Sequence, residues 1–506
     1  MRQSSRFIAL LSLSCCLLLA SAVGASAKPR KKAKKHKETS QQKAERQRRE
    51  AIQWAVLNQI SIQRTDTSDG GFTVNAGNGS SVRGNSTAST VGSAGNAFFV
   101  GDPEAPNPLA PNATATAGQI IISEFRLRGP SGANDEFIEL YNNSGAAHTV
   151  AAAVTVPAST GYGVYASDDL ITPRCSIPNG TVIPNRGHYL CVNLVGYSLT
   201  NYPAGNGTTA TGDATYVIDI PDNAGIALFS GNSTTAAILA NRIDAVGSTS
   251  EANVLFKEGT GYPALAPSSI DYSYYRDTCG KSGSITTGGL CTVETPKDTD
   301  NNATDFIFVD TNGSSAGAGQ RLGAPGPENL SSPILRNSTI GNALLDASVN
   351  KANAPNQVRD FTPDPPNNST FGTLDIRRRF INNTGANITR LRFRVVDITT
   401  FPAPSGFADL RPRTSPLVVV AGVNDAATCL ASNGVATTPC SVNVQGTTLE
   451  QPPNQPNGTG FNGTLSAGTI TLGTPLATGA SINIRFLMGI QQTGIFKLFL
   501  NVEAIP

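Results

Sequence analysis

The sequence predicts an all-β protein built around two β-sandwich domains, and three observations carry that expectation. The 506 residues include 50 glycines and 32 prolines, which break a chain into short segments joined by turns. Only 15% of residues are charged, and the abundance of Ser, Thr, Asn and Ala favours short strands over long helices. Beyond residue 118, runs rich in Ile, Val, Phe and Tyr recur between turn clusters, the pattern expected of a sandwich or barrel. A chain of this length holds two or three domains at the usual ~100–200 residues each.

Residues 1–27 read as an export signal. Arg2 and Arg6 precede an apolar run from Phe7 to Val23, and Ala25-Ser26-Ala27 offers small residues for cleavage before Lys28. The expected location is therefore secreted or cell-surface. Residues 28–63 form a basic segment. Eleven Lys or Arg stand against three Glu between residues 28 and 50, and with Arg2 and Arg6 this end carries +10 against a whole-chain +2, leaving residues 51–506 at −8. Such a cluster either contacts anionic lipid or nucleic acid by counterion release or is a solvated tail. At residues 43–63 a short amphipathic helix is expected from Ile52, Val56 and Ile60, and it holds the single Trp54. Residues 64–117 are Gly, Ser, Asn, Thr and Pro with little apolar content, which reads as a low-complexity linker.

The first sandwich is expected over residues 118–329. Its strand-type runs are QIIISEFRLRG, DEFIELYN, GYGVYAS, RGHYLCVNL, TYVIDIP, AGIALFSG, AAILANRIDAV and SSIDYSYYR, and the proline-rich RLGAPGPENL, Arg321 to Leu330, closes it. The second is expected over 330–506, from GTLDIRRRFI, ITRLRFRVVDI, SPLVVVAG, CSVNVQG, GTITLG, SINIRFLMGI and GIFKLFLNVEAI. Once the signal is removed, six cysteines remain as three sequence neighbours. They allow 15 pairings, and local disulfides Cys175–Cys191, Cys279–Cys291 and Cys429–Cys440 are the simplest; no CxxC spacing suggests zinc.

Catalytic motifs are sparse. His36, His148 and His188 are the three histidines. The GxSxG match at Gly313–Gly317 lacks the strand and helix that make a nucleophile elbow, and CGKSG around Lys281 lacks the earlier glycine of a phosphate loop. No catalytic residue is assigned. In PKDTDNNATDF, Asp298, Asp300, Asn302 and Asp305 offer oxygens at alternating spacing, a candidate structural calcium loop without the Gly and Glu of an EF-hand. In GTLDIRRRFINNTGANITRLRFRVVDI, period-two alternation sets Leu374, Ile376 and Phe380 against Leu391, Phe393 and Val395, with NNTGAN as a hairpin loop. Arg377, Arg379, Arg390, Arg392 and Arg394 fall on the opposite face. Like charges on paired strands are unfavourable, so these arginines require Asp375, Asp397, another acidic surface or an anionic ligand; the alternative is a solvated face that protects against aggregation.

Residues 119–329 resemble the lamin tail domain, through IIISEFRLRG, NDEFIELYN, IPNGTVIPNRGHYLCV, DYSYYR, NATDFIFVDT and LGAPGPENL. The resemblance implies an immunoglobulin-like sandwich that binds or displays and has no established catalytic residues. The region is similar to such domains in exported bacterial proteins, and residues 330–506 carry no family resemblance. The expected function is non-enzymatic binding, adhesion or surface structure, with a cell-surface polyanion, a glycan or another envelope protein as partner. The rival expectation is a metal-assisted extracellular hydrolase using Asp298, Asp300 or the Glu136/Glu139 pair of NDEFIELYN. No cofactor beyond the calcium candidate is expected.

Overall fold

The computed structural model describes residues 114–203, 209–264, 270–277, 296–313, 321–333, 340–450, 457–468 and 472–506, with the backbone of four short strands between residues 61 and 101. The signal segment, the basic run, Trp54 and the expected Cys279–Cys291 bridge lie outside the described residues. The described chain is mostly strand, arranged in several sheets, so the all-β expectation holds.

Strand β1 (Ser61–Arg64) pairs with β2 (Phe72–Asn75), and β3 (Asn85–Ser86) with β4 (Ala97–Gly101). β1 occupies the end of the stretch read as a helix, where Ile60 and Ile62 alternate with Ser61 and Gln63, a period of two that suits a strand. β4 lies in the expected linker and uses its Ala-Phe-Phe-Val run.

The next thirteen strands are β5 (Ile120–Arg126), β6 (Phe137–Asn142), β7 (His148–Thr149), β8 (Gly161–Ala166), β9 (Cys175–Pro178), β10 (Val182–Ile183), β11 (His188–Asn193), β12 (Ala214–Tyr216), β13 (Ile226–Phe229), β14 (Arg242–Val246), β15 (Tyr272–Arg276), β16 (Phe306–Asp310) and β17 (Arg321–Leu322). A seven-stranded sheet runs β12-β11-β6-β5-β15-β16-β17, and a four-stranded sheet runs β14-β13-β8-β9. Ile122, Ile138, Leu140, Tyr274 and Phe308 of the larger sheet share one core with Val164, Ile177 and Leu228 of the smaller. Removing this apolar surface from water, at about 25 cal/mol per Å², is what holds the two together. Cys175 on β9 is bonded to Cys191 on β11, so one disulfide joins the two sheets.

The C-terminal strands are β18 (Ile340–Leu344), β19 (Gln357–Asp360), β20 (Thr373–Asn382), β21 (Arg390–Ile398), β22 (Asp409–Arg413), β23 (Val418–Val423), β24 (Cys440–Val444), β25 (Thr447–Leu449), β26 (Thr464–Ala467), β27 (Ser481–Gln492) and β28 (Lys497–Ile505). One sheet runs β18-β20-β27-β22 with β19 also on β20; another runs β25-β26-β21-β28-β4-β3. Phe380, Phe393 and Phe486 meet in the core between them, with ring centroids 4.8 Å apart for Phe380–Phe393 and 4.9 Å for Phe393–Phe486. β23 and β24 form a separate hairpin around helix α2 (Ala426–Asn433), closed by the Cys429–Cys440 disulfide. The one α-helix before it among the described residues, α1 (Asn302–Asp305), leads into β16.

The expected β20–β21 hairpin does not form. Both edges of β20 are taken, by β18 and β19 on one side and β27 on the other, and β21 pairs with β26 and β28. The chain crosses the core instead, where Asn382 donates to the carbonyls of Ala386 and Leu476 at 2.7 Å each. The apolar faces meet as expected, but across the core rather than along a ladder. Because β20 and β21 sit in different sheets, the five arginines do not make one face.

The two regions share apolar packing. Alternation along β15 and β16 that puts Tyr274 and Phe308 into the first core turns Tyr275, Ile307 and Val309 into the second. The outer face of the seven-stranded sheet is therefore a buried junction.

Candidate functional site

A one-residue bulge begins the construction of the densest polar cluster. On β5, Ile122 pairs with Leu140, but the next register partners are Glu124 and Glu139. The additional residue, Ser123, sets two carboxylates directly opposite each other on the junction side of the sheet. Like charges in that relation repel, and the structure surrounds both with donors. Ser123 Oγ donates to Glu139 Oε1 at 2.5 Å, the Glu328 amide to Glu139 Oε2 at 2.7 Å, and the Gly326 amide to Glu124 Oε1 at 2.9 Å. The GAPGPENL segment thus lies over the pair and brings its own acid, Glu328. From β11, His188 Nε2 stands 3.3 Å from Glu328 Oε2 and 3.8 Å from Glu139 Oε1.

The other half of the cluster comes from β21, whose even residues face away from the Leu391, Phe393 and Val395 stripe. Arg392 is opposite Glu503 of β28 in the ladder. Its Nε lies 2.6 Å from Glu503 Oε2 and its Nη1 3.2 Å from Glu450 Oε2, while Nη2 donates to Glu328 Oε1. Arg394 Nε lies 2.6 Å from Glu503 Oε1 and Nη2 2.5 Å from Glu328 Oε2. Glu328 is therefore clamped by both guanidiniums, and it is 1% exposed.

Burial dominates the proton affinities here. It raises Glu139 well above the usual carboxylate range, with Glu124 and Glu328 adding to the effect. It pushes His188 down to about 3, helped by Arg394, so the imidazole is neutral at physiological pH. Glu503 goes the other way: burial opposes its charge, but Arg392 and Arg394 hold it at about 2. Burial also works against the Arg394 charge, and Glu328 and Glu503 outweigh it, raising its pKa.

Glu139, His188 and Glu328 present donor atoms within 4.8 Å of one another, close enough for a metal ion. The four carboxylate oxygens are already engaged by Ser123, the Glu328 amide and the two guanidiniums. Arg392 and Arg394 offset part of its charge, burial raises the proton affinity of Glu124, Glu139 and Glu328, and its chemistry is that of a buried charged seam between regions.

The arginines marked in the sequence separate into distinct settings. Arg392 and Arg394 enter the seam. Arg377, opposite Arg485 on β27, shares Asp375 Oδ2 with it at 2.8 and 2.9 Å, so the acid bridges the like charges. Arg379 is half-buried opposite Asn483, and Arg390 donates to Thr389 Oγ1 at 3.3 Å. Asp397 meets Lys497 at 3.3 Å.

The four oxygens of the expected calcium loop do not converge. Asn302 Oδ1 accepts from the amides of Gly247 and Glu258, at 3.0 and 2.9 Å, and Asp305 accepts from Thr299 and Asn301. Asp300 is exposed. Asp298 alone joins a second grouping, with Asp244 and Glu258. Glu136 and Glu139, three residues apart, diverge: Glu136 accepts from Asn193 Nδ2 at 2.8 Å and the Ile220 amide at 2.7 Å. Asp135 instead pairs with Arg126 at 2.5 Å, both buried.

The sequence reading missed Glu328, Glu450, Glu503, Asp244, Glu258 and Arg276. Its signal for the first three was indirect, in the requirement that the β21 arginines find acids. No family model matches the chain, and no curated protein or solved structure matches it.

Proposed function

We propose that the chain is an exported, non-enzymatic attachment or surface-structure protein, with two β-sandwiches, the first of lamin-tail, immunoglobulin-like type, behind the basic segment. The observation that carries this reading is the division of labour among side chains. The strongest charged candidates are spent joining the two regions, while the disulfide-closed β23–α2–β24 hairpin presents Leu417, Val419, Leu430 and Val435 at 47–67% exposure. Four exposed apolar side chains on one disulfide-braced hairpin support contact with another envelope protein. Polyanion or glycan contact through Arg377, Arg379 and Arg390 is the alternative partner class.

The test is binding of the full chain to isolated cell envelopes and to a glycan array at low and high salt. Salt-tolerant envelope binding that drops in a Val419→Ser/Leu430→Ser/Val435→Ser variant of unchanged circular dichroism supports the hairpin. Binding that disappears at high salt and in an Arg377→Glu/Arg390→Glu variant transfers it to the arginines. Absence of binding in every arm removes the attachment reading. The metal-assisted hydrolase remains the rival because Glu139, His188 and Glu328 are grouped; Zn²⁺- or Mn²⁺-dependent ester hydrolysis abolished by His188→Ala would replace attachment with catalysis.

A further inference from the structure

The second donor grouping differs from the seam in having an unsatisfied oxygen. Asp244 is on β14, Glu258 follows the short turn Val254–Phe256, and Asp298 precedes α1. One oxygen of each lies within 4.8 Å of the others, the span available around a cation with bonds of ~2.4 Å. The three belong to chain segments far apart in sequence and converge beside Arg276, the fully buried last residue of β15.

Arg276 occupies only part of this pocket. Its Nη2 is 2.9 Å from Asp244 Oδ2 and its Nη1 3.2 Å from Asp298 Oδ1, and it also donates to the carbonyls of Ile122 and Lys297. Asp305 is 3.8 Å from the same guanidinium. Arg242 Nη2 lies 3.6 Å from Glu258 Oε1, while Glu258 Oε2 is buried with no hydrogen-bond partner, on a residue only 6% exposed. Counted as fully ionised, the four carboxylates exceed the two guanidiniums by two charges. The neighbouring ammonium groups are engaged elsewhere, Lys297 Nζ with the Thr304 carbonyl and Lys257 Nζ with the Glu251 carbonyl.

We propose that Asp244, Glu258 and Asp298 bind a calcium ion that ties β14 to the segment leading into α1. An all-oxygen donor set selects a hard cation, and three converging carboxylates suit Ca²⁺ better than Mg²⁺, which usually takes one or two and keeps its waters. The ion supplies the missing partner of Glu258 Oε2 and matches the excess charge. Asp298, with 18% of its side chain exposed, opens the pocket to solvent, from which waters complete the coordination. Asp298 Oδ2 sits over Gly118, where a Cβ would stand 3.0 Å away. That glycine leaves room for the carboxylate to turn toward an ion.

The test titrates the chelator-treated full chain with CaCl₂ and with MgCl₂, reading heat by calorimetry and melting temperature by circular dichroism. Saturation by ~10 mM Ca²⁺, above the range typical of extracellular modules, should raise Tm by about 3 °C or more, with a smaller response to Mg²⁺. Glu258→Gln keeps the shape of the side chain and removes one ligand charge, so its Ca²⁺ affinity should fall at least about tenfold. Asp298→Asn, at the half-open rim, provides a second variant if Glu258→Gln does not fold. No heat and no Tm shift in the folded chain overturns the proposal, as does an undiminished response in both variants, which would place the ion elsewhere.

Discussion

Replacing Arg392 by methionine should be among the most destabilising single changes in this protein. The change keeps most of the buried stem and deletes a guanidinium whose three nitrogens reach Glu328, Glu450 and Glu503, at 0% side-chain exposure. Among the described residues, Arg394 then remains alone against Glu328 and Glu503, and Glu450 loses the guanidinium that reaches it. Removing one partner of a buried ion pair costs about 3–5 kcal/mol, because the charge left behind has neither water nor counterion. Arg128→Met is the control: it breaks a pair with Asp222 whose side chains are 31% and 36% exposed, a class worth about 0–1 kcal/mol. Urea denaturation at pH 7, followed by circular dichroism, measures both. Adding Glu450→Gln to Arg392→Met should recover about 1–3 kcal/mol as non-additivity, since the uncompensated acid is then neutral. A loss below about 1 kcal/mol for Arg392→Met, or strict additivity in the pair, would refute the view that the seam holds the junction.

Glu136 gives the pH prediction. Burial pushes it up to about 8 from an ordinary 4.5, against the lowering effect of Asn193 and the Ile220 amide, so between those values the folded chain holds a proton that the unfolded chain has released. Its contribution therefore declines as pH rises through that window. Glu136→Gln, a mimic of the protonated acid, should match the parent near pH 5 and exceed it near pH 9 in urea midpoint; the same difference at both pH values would reject this. Cys429→Ser/Cys440→Ser opens a loop with a sequence separation of 11, worth about 3 kcal/mol in the chain-entropy model, and should speed proteolysis between residues 414 and 446 with the main unfolding transition little changed. Asn302→Asp replaces the amide that donates to the Ala245 carbonyl at 2.9 Å and adds charge beside Glu258. It should cost at least about 2 kcal/mol, seen as a lower urea midpoint.

Local pattern and long-range partnership were unequally readable in this chain, and the β21 arginines show where the division falls. Period-two alternation located the strand, its apolar stripe and its charged stripe, and the repulsion among Arg390, Arg392 and Arg394 required acids nearby. Which acids answered could not be read, because Glu328, Glu450 and Glu503 come from an exit loop, a strand end and the final strand, joined only by topology. The same gap explains the failed hairpin: NNTGAN has turn composition, but composition does not say that both edges of β20 are occupied by strands from elsewhere. It also explains the calcium loop. Spacing within PKDTDNNATDF makes four oxygens neighbours in sequence, yet each backbone amide nearby competes for them, and Asn302 and Asp305 satisfy amides instead. Asp298 is left to partners that sequence proximity could not supply.

The bulge at Ser123 extends this argument from partnership to specificity. Without the extra residue, β5 and β6 would keep one register, and Glu124 would not stand opposite Glu139. An arrangement that sets two buried carboxylates side by side is unfavourable by itself, and becomes tolerable only when the Gly326 and Glu328 amides and Arg394 are in place. Those groups belong to the exit segment and to β21. The two amides close the first region itself, whereas Arg394 reaches the acids only when the second region is docked, which makes the seam a determinant of how the regions join as well as a contribution to stability. An apolar replacement of the whole seam tests this: Glu124→Leu, Glu139→Leu, Glu328→Leu, Glu450→Leu, Glu503→Leu, Arg392→Met and Arg394→Met together remove the charges on both sides. Replacing buried ion pairs by apolar groups is often neutral or stabilising. If the seam specifies docking, the variant should keep its strand content by circular dichroism but lose the single cooperative transition, the two regions melting apart; one sharp transition at an equal or higher temperature would show that the apolar contacts of Tyr275, Ile307 and Val309 suffice.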